Sequence, residues 1–293
     1  MRRFSPRLRA AVFVFALLPL ACAPAPRRPA GREVVDDLGR AVRVPSRIDR
    51  VVTLAPNLTE IVFAVGGGEK LAGTDDFSNH PPDARRLPKV GGMHPDLEKV
   101  VALDPDLVLA STEGNQPGIG PALAAAGVPL YVVRTDRLDE IPLSLARVGE
   151  LLGTGNGETA ASTLRDQIRR QLRRRPRQPR VLFAVWADPL YVAGRDTFTD
   201  DLFALTGARN AAGAKGWAQL SHEALLANVP DIILHPGATV SRTMVERLFA
   251  AAPSVLRRVE IVAVDDDRFT RPGPRVAEAA AALNEIIDQW AAR

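Results

Sequence analysis

Two stretches of the chain repeat one pattern: "DLEKVVALDPDLVLAS" at residues 96–111 and "SHEALLANVPDIILHP" at residues 221–236. At a constant offset they match Glu98 with Glu223 and Pro105 with Pro230. Each stretch has the pattern of a helix, a Pro-Asp turn and an apolar strand. The recurrence of one such unit in each half of the chain predicts two lobes of the same class.

Short apolar runs alternate with helical periods throughout both halves. They include "RVVTLAP", "DLVLAS" and "PLYVVR" in the first half, and "RVLFAVW", "DIILHPG" and "EIVAV" in the second, with a hairpin-like "ADPLYVAG". This alternation is typical of parallel β-α-β units. We therefore predict an α/β fold of two Rossmann-like lobes with mainly parallel sheets and a ligand cleft between them. Asn57, three residues before Glu60, predicts a capping box on the first helix.

The segment between the halves, "GETAASTLRDQIRRQLRRRPRQPR", has apolar residues at helical spacing and arginines on most other faces. This pattern predicts one long connecting helix that ends before Pro176. The predicted organisation is a signal peptide at 1–21, a tether at 22–32, an N-terminal α/β lobe at 33–152, the connecting helix at 153–177 and a C-terminal α/β lobe at 178–293.

Composition and charge exclude several classes of function. The 293 residues are 46% hydrophobic, which suits two ordinary domains. The formal charge of +4 arises because six arginines and no acids lie in the first 30 residues, which leaves 32 basic against 34 acidic side chains. Because its positive and negative charges are nearly equal in number, the chain has no overall positive field that would attract a nucleic acid. No aromatic residue interleaves with the arginines of the connecting helix to stack on bases.

The first 22 residues have the pattern of an export signal. A basic "MRRFSPRLR" precedes the apolar "AAVFVFALLPLA", which is too short to span a bilayer, and Cys22 follows. Cys22 is the sole cysteine, so no internal disulfide is possible. "PLAC" is similar to a bacterial lipobox but has Pro19 where leucine is usual. We expect export to the periplasm or cell surface with a lipid on Cys22; the alternative is cleavage nearby, giving a soluble exported protein.

Motifs of catalysis are absent from the sequence. It has no G-x-S-x-G elbow, no Walker-type phosphate loop and no H-E-x-x-H, and the glycines of "VGGGEK" lack dinucleotide spacing. We expect no enzyme and no cofactor. The alternative, an enzyme or metal-cluster scaffold of similar fold, would need a buried, perturbed acid–base pair in the cleft.

Histidines are the candidate metal ligands. His80 and His94 lie in the first lobe and His222 and His235 in the second. A zinc or manganese site would need three or four of them to converge. Because His222 adjoins Glu223 on an outer helix, we expect no metal site.

Two α/β lobes joined by a helix behind an export signal resemble the helical-backbone class of ABC-transporter substrate-binding proteins. The segments that carry the resemblance, in order, are "DDLGRAVRVPSRIDRVVTLAPNLTEIVFAVG", "DFSNHPPDA", "VGGMHPDLEKVVALDPDLVLAS", "DPLYVAGRDTFTDDLFALTGARN", "WAQLSHEALLANVPDIIL" and "RPGPRVAEAAAAL". Within the class the chain most resembles receptors for vitamin B12 and related corrinoids, with ferric siderophore and haem receptors as near relatives. Those B12 receptors often carry an aromatic just before "GM", where this chain has Val90 and Gly91.

The resemblance implies a monomeric receptor that captures cobalamin or a related corrinoid. It would deliver this macrocycle to the permease dimer of an ABC importer in the inner membrane. The alternative ligands are a ferric siderophore or haem.

Candidate ligand-binding residues follow from the predicted fold, because ligands of open α/β sheets bind beyond the carboxyl ends of the strands. The candidates are Asn57, Phe77, His80 and Met93 in the first lobe and Trp186, Tyr191, Trp217, Phe269 and Arg271 in the second. Aromatic rings offer broad contact area, and Arg271 is expected to meet a carboxylate or amide periphery.

Alternatives remain for some of these residues. Trp186 and Tyr191 equally suit the core of the lobe. Trp217, in the glycine-containing loop "KGWAQLS", matches the position of a ligand-stacking tryptophan in the B12 receptors. His80 is expected to contact the edge of a corrin or its metal.

Glu98 and Glu223 are the candidate docking residues. The resemblance implies that they pair with arginines on the two permease subunits. Alternatively, they are ordinary solvated residues near helix N-termini, where acids are favoured by the helix dipole.

Overall fold

The computed structural model describes residues 31–112, 118–250 and 252–293. The predicted signal peptide and Cys22 lie outside the described residues. The strands are β1 (Gly31–Val35), β2 (Ala41–Pro45), β3 (Val51–Thr53), β4 (Leu71–Thr74), β5 (Leu107–Ser111), β6 (Leu130–Val133), β7 (Arg180–Ala187), β8 (Leu190–Ala193), β9 (Arg209–Asn210), β10 (Trp217–Gln219), β11 (Ile232–Pro236) and β12 (Glu260–Val264). The helices are α1 (Pro56–Ala64), α2 (Leu97–Ala102), α3 (Ile119–Ala125), α4 (Glu140–Leu152), α5 (Gly157–Arg170), α6 (Phe198–Leu205), α7 (His222–Ala227), α8 (Arg242–Arg247), α9 (Pro253–Leu256), α10 (Asp266–Thr270) and α11 (Val276–Ala291).

The first lobe is built on a parallel sheet of order β4-β3-β5-β6. Every residue of β5 is buried, as expected of a strand with helices on both faces. The β1–β2 hairpin forms a separate two-stranded sheet. The predicted β-α-β alternation of this half is confirmed.

The second lobe has a mixed sheet of order β10-β8-β7-β11-β12. Strands β7, β11 and β12 are parallel, β9 adds a short parallel pairing to β7, and β8 and β10 run antiparallel at one edge. The predicted hairpin is the β7–β8 pair. The predicted α/β fold with a largely parallel sheet in each lobe is confirmed.

The repeated Pro-Asp turn has the same structural role in both lobes. Asp106 accepts a hydrogen bond from the Arg50 amide at 2.9 Å, just before β3. Asp231 accepts one from the Arg180 amide at 2.8 Å, at the start of β7. Each aspartate therefore fixes the beginning of the strand that neighbours its own.

Two helices, α4 and α5, lie between the sheets along the chain. Helix α5 lies within the range predicted for the connecting helix and ends at Arg170, before Pro176. Helix α4 was not predicted. The helices approach closely at Gly149 and Gly157, where a Cβ on Gly149 would lie 2.3 Å from the Gly157 Cα. Side chains at this crossing would separate the two helices.

A cluster of buried apolar side chains extends across both lobes. It includes Val51 of β3, Leu164 of α5, Phe183 of β7 and Leu283 of α11. Each sheet has a further apolar cluster on its other face. The lobes therefore share a core. No helix in the described ranges is both long enough and apolar enough to cross a membrane.

Candidate ligand-binding cleft

Three aromatic side chains of the second lobe lie on one face of its sheet. Tyr191 is paired with Trp186 on one side and with Gln219 on the other, so the side chains of Trp186, Tyr191 and Gln219 lie on the same face of the sheet. Trp217 is two residues from Gln219 on β10 and points the same way. Trp186, Tyr191 and Trp217 are 45%, 43% and 36% exposed. We call these three residues the aromatic face; their exposure argues against the alternative that Trp186 and Tyr191 pack the core.

A β-bulge turns Trp186 onto this face. Ala184 pairs with Val192, whereas Trp186 pairs with Tyr191, so Val185 is an extra residue in β7. Ala184 and Val192 point into a buried cluster. Strict alternation from Ala184 would have pointed Trp186 into the same cluster.

Trp217 lies in an edge strand and not in the loop that the glycines predicted. Its strand, β10, pairs antiparallel with β8. The ring packs against Phe198 at a centroid separation of 6.1 Å and an interplanar angle of 52°. Strand pairing and this ring contact fix the orientation of the indole.

The first lobe contributes Phe77 and Met93, both exposed, from two loops that follow β4. The Asp76 amide donates to the Gly91 carbonyl at 3.0 Å, and the Gly91 amide donates back to the Asp76 carboxylate at 3.2 Å. A Cβ on Gly92 would lie 2.9 Å from the Phe77 ring. The two loops are thus joined beneath Phe77.

A buried hydroxyl network supports residues 75–80, which we call the cleft loop. Asp75 accepts from the Phe77 amide at 2.8 Å and from the Ser78 hydroxyl. The Ser78 oxygen lies 2.7 Å from the Thr59 oxygen, which lies 2.6 Å from that of Thr53. Burial raises the pKa of Asp75.

Lys89 supports the same loop from below. Its ammonium donates to the Ser78 carbonyl at 2.6 Å and to the Thr74 hydroxyl at 2.9 Å. Burial lowers the pKa of Lys89, against the attraction of Asp75 and Asp76. Asp75 and Lys89 are thus a perturbed acid and base, but Asp75 is buried and both are hydrogen-bonded within the loop. This arrangement supports the backbone and offers no acid or base to a substrate.

Glu60 binds the two lobes together. It lies on α1, is 4% exposed, and accepts from Arg275 Nε at 2.9 Å and Arg275 Nη2 at 2.6 Å. Arg271 Nη1 also donates to it at 3.3 Å. Burial alone would lower the pKa of Arg275, but the Glu60 carboxylate outweighs it and raises that pKa. The predicted capping box is wrong: Ala55 is the N-cap of α1, with no side-chain capping bond.

The guanidinium of Arg271 is engaged in contacts with other groups of the protein. Its side chain is 10% exposed and pairs with Asp267 at 2.5 Å as well as with Glu60. Its guanidinium also donates to the Phe77 carbonyl at 3.1 Å and the Asn79 side-chain oxygen at 2.8 Å. It therefore lies at the junction of the lobes, and its contact with a ligand stays a prediction.

Asn57 also lies at the lobe junction. It is buried and donates to the Thr135 hydroxyl at 3.0 Å and, across the lobes, to the Pro272 carbonyl at 3.2 Å. Its contact with a ligand also stays a prediction.

Phe269 is a core residue. It is 1% exposed, and its ring centroid lies 6.1 Å from that of Phe183. The prediction that Phe269 lines the cleft is wrong, because its position in α10 directs the ring into the core shared by the lobes.

A second polar contact joins the lobes at Arg137. Its guanidinium pairs with Asp201 at 2.5 Å and Asp196 at 3.1 Å, and the Leu138 amide donates to Asp201 at 2.9 Å. Burial raises the pKa of Asp201. The lobes are thus held by charged contacts at two places.

The four histidines are dispersed. His80, His94 and His222 are exposed, whereas His235 is buried in β11. Within the described residues no three His, Cys, Asp or Glu side chains come together as a metal site. His80 is the last residue of the cleft loop, and its contact with a ligand stays a prediction.

A cavity of about 1360 Å³ lies away from these residues. It is bordered by the β1–β2 hairpin, α3 and β6, and none of the nine predicted ligand-binding residues lines it. The aromatic face and Phe77 do not border this cavity.

Glu98 and Glu223 are exposed and lie in the first turns of α2 and α7. Each helix ends at the turn that leads into the amino end of the next strand. The first turn of each helix therefore lies toward the carboxyl edge of its sheet, on the side of the cleft.

A family model described as "Periplasmic binding protein" matches residues 51–255. The chain belongs to the periplasmic binding protein family. This periplasmic binding protein is a carrier and not an enzyme: it is the extracytoplasmic ligand-binding component of an ABC importer and works with a membrane permease.

Individual relatives of this periplasmic binding protein are similar over most of its length. A vitamin B12-binding protein of Pectobacterium atrosepticum is 30% identical over 242 residues, which cover 79% of this chain and 85% of the relative. An uncharacterized ABC transporter substrate-binding lipoprotein of Bacillus subtilis is 29% identical over 269 residues, 86% of this chain and 84% of the relative. The solved apo structure of a periplasmic heme-binding protein from Roseiflexus has a TM-score of 0.75 and 30% identity, covering 83% and 99%.

Glu60, Asn79 and Lys89 also organise the cleft, although the sequence did not predict this role for them. One signal was present for Glu60: a lone acid within the apolar run "NLTEIVFAV" is buried only when it is paired. Arg271 and Arg275 were the available partners, but 211 residues of chain separate Arg271 from Glu60. No sequence signal identified Asn79 or Lys89.

Proposed function

We propose that this periplasmic binding protein captures cobalamin or a related corrinoid in the cleft between its lobes. The aromatic face is the observation that carries the proposal. Trp186, Tyr191 and Trp217 present exposed rings on one side of a sheet, and Phe77 and Met93 add apolar surface from the other lobe. Such a surface suits a large, flat, partly apolar ligand, because aromatic rings stack on extended π-systems.

The name of the Pectobacterium relative, a vitamin B12-binding protein, supports the corrinoid within this class of flat ligands. Haem is the second candidate, because the Roseiflexus heme-binding protein is equally similar to this chain, at 30% identity. His80 favours both ligands, since an exposed imidazole beside the aromatic cleft suits contact with the edge or the metal of a macrocycle.

Titration of the purified protein distinguishes the candidates. Dicyanocobinamide, cyanocobalamin, haemin and ferrichrome are added separately, and binding is followed by calorimetry and by the absorbance of each ligand. We expect tight binding of at least one corrinoid and weaker binding of haemin and ferrichrome. Tight binding of haemin alone would replace the corrinoid proposal with the haem proposal, and binding of none would contradict both.

Trp217 is the residue whose removal tests the stacking geometry. Trp217→Ala is expected to weaken corrinoid binding by roughly 1 to 3 kcal/mol, the usual scale for an aromatic anchor. Trp290→Ala is the matched control, because Trp290 lies on α11 beneath the guanidinium of Arg177, at 4.2 Å, and takes no part in the aromatic face. Equal affinities of the two variants would contradict the stacking role.

Docking to the permease is proposed for Glu98 and Glu223. Their equivalent positions on α2 and α7, one per lobe and on the side of the cleft, suit a partner with two-fold symmetry. We further propose that the protein is held at the membrane through a lipid on Cys22. The lipobox-like "PLAC" and the lipoprotein name of the Bacillus relative support this anchor.

A further inference from the structure

We propose that Arg271 is a positioning residue that couples the order of the cleft loop to the apposition of the two lobes. The relevance to ligand capture rests on the proposed function, since the cleft loop carries Phe77 and His80. Arg271 belongs to the second lobe and follows α10, yet it holds two acceptors of the cleft loop in the first lobe. Separation of the lobes would therefore remove both bonds from the loop at once.

The two bonds hold the cleft loop at Phe77 and at Asn79. Arg271 Nη2 donates to the Phe77 carbonyl at 3.1 Å, and Arg271 Nη1 donates to the Asn79 side-chain oxygen at 2.8 Å. Among the described residues, no other side chain of the second lobe hydrogen-bonds residues 75–80. Asp75 and Lys89 support the loop through hydrogen bonds that lie within the first lobe.

Charge keeps Arg271 in this position. Its guanidinium is balanced by Asp267 at 2.5 Å and by Glu60 at 3.3 Å. Glu60 is also paired with Arg275 at 2.6 Å. Withdrawal of the second lobe would leave the buried Glu60 carboxylate without both partners, which is strongly unfavourable. The lobes therefore stay apposed, and the loop stays ordered, until a partner separates them.

This arrangement links ligand release to lobe separation. With the lobes together, the bonds to Arg271 preorganise Phe77 and His80 and so reduce the entropy lost on binding. A permease that pulls the lobes apart would free the loop and lower the affinity for the ligand. Arg275 shares Glu60 with Arg271 but makes no hydrogen bond to the loop. It is therefore the matched control.

Amide hydrogen exchange of the ligand-free protein tests the coupling directly. Arg271→Ala is expected to speed exchange at residues 76–80 by about tenfold, the effect of losing the bonds that hold a local structure closed. Exchange in β5 and β7 should not change. Arg275→Ala weakens the lobe junction but removes no bond to the loop, so it should speed exchange at residues 76–80 much less than Arg271→Ala does. Arg271→Ala is expected to fold, because Arg275 still pairs with Glu60 through two bonds.

Asn79→Ala is a second variant that leaves the buried charges intact. It removes one of the two acceptors and should speed exchange at residues 76–80 by a smaller factor. Unchanged exchange in both Arg271→Ala and Asn79→Ala would overturn the proposal. Acceleration by Arg275→Ala equal to that by Arg271→Ala would also overturn it, because the two bonds from Arg271 would then add nothing to the general effect of a weakened junction.

Ligand titration adds a readout that depends on the proposed function. With dicyanocobinamide as the probe, Arg271→Ala should lower the affinity severalfold, while Arg275→Ala should have a smaller effect. Equal losses in the two variants would contradict the preorganising role of Arg271. Failure of the wild type to bind any of the four probe ligands would contradict the proposed function, whereas the exchange experiment would still decide the coupling.

Discussion

At the scale of single residues, Asp75 is the carboxyl group that most constrains the cleft loop. Burial raises its pKa above the ordinary 3.8. At a pH below that value, the Asp75 carboxyl is protonated in both the folded and the unfolded state. As the pH rises above it, Asp75 ionises first in the unfolded state, so its ionisation favours unfolding. The contribution of Asp75 to stability should therefore fall as the pH rises through its folded pKa.

The variant Asp75→Asn isolates this effect. We expect the free energy of unfolding of the wild type, relative to that of the variant, to decrease as the pH rises from about 3.5 to about 7. Urea unfolding of both proteins across this range measures the difference. A difference that increases with pH would mean that the Phe77 and Ser78 hydrogen bonds to the ionised carboxylate outweigh its burial.

At the scale of elements, Gly194 sets the position of β10 and with it Trp217. A Cβ at Gly194 would lie 2.3 Å from the Ala214 carbonyl oxygen and 2.7 Å from that of Gly216, and backbone atoms cannot rotate away. Gly194→Ala should therefore displace the segment that leads into β10, destabilise the protein by roughly 1 to 3 kcal/mol and weaken corrinoid binding.

Gly213→Ala is the control for this prediction. An added Cβ at Gly213 has no atom within 4 Å. Urea unfolding and ligand titration should therefore give values close to those of the wild type. If Gly194→Ala matched this control in both measurements, the close packing at Gly194 would have no role in orienting the aromatic face.

At the level of the whole molecule, substitution of Glu98 and Glu223 tests how the protein docks on its permease. Exposed charges at the rim of an interface mainly affect the rate of association and make it sensitive to salt. The double variant Glu98→Ala, Glu223→Ala should slow transport by a reconstituted importer, while its affinity for the ligand stays unchanged. Glu285→Ala, which removes an exposed carboxylate of α11, should transport normally. Full transport by the double variant would leave the repeat as duplicated architecture alone.

The two lobes, the strand–helix alternation and the equivalence of the two repeated units could all be predicted from the sequence. These features depend on local patterns: Asp96 and Ser221, matched in the repeat, both cap their helices by accepting an amide hydrogen bond. The apolar runs of β5 and β11 are buried throughout because parallel strands are covered on both faces. Patterns of this kind are visible in a few consecutive residues.

Which side chains face the cleft depends on the tertiary fold and could not be predicted from local patterns. The extra residue Val185 turns Trp186 outward, and α10 turns Phe269 inward, although both are aromatic residues in apolar surroundings. Arg271 and Glu60 meet across 211 residues of chain. The outcome at each position depends on register or on a distant partner, and neither is encoded in the neighbouring sequence, because a one-residue change in strand register reverses the face of every side chain that follows.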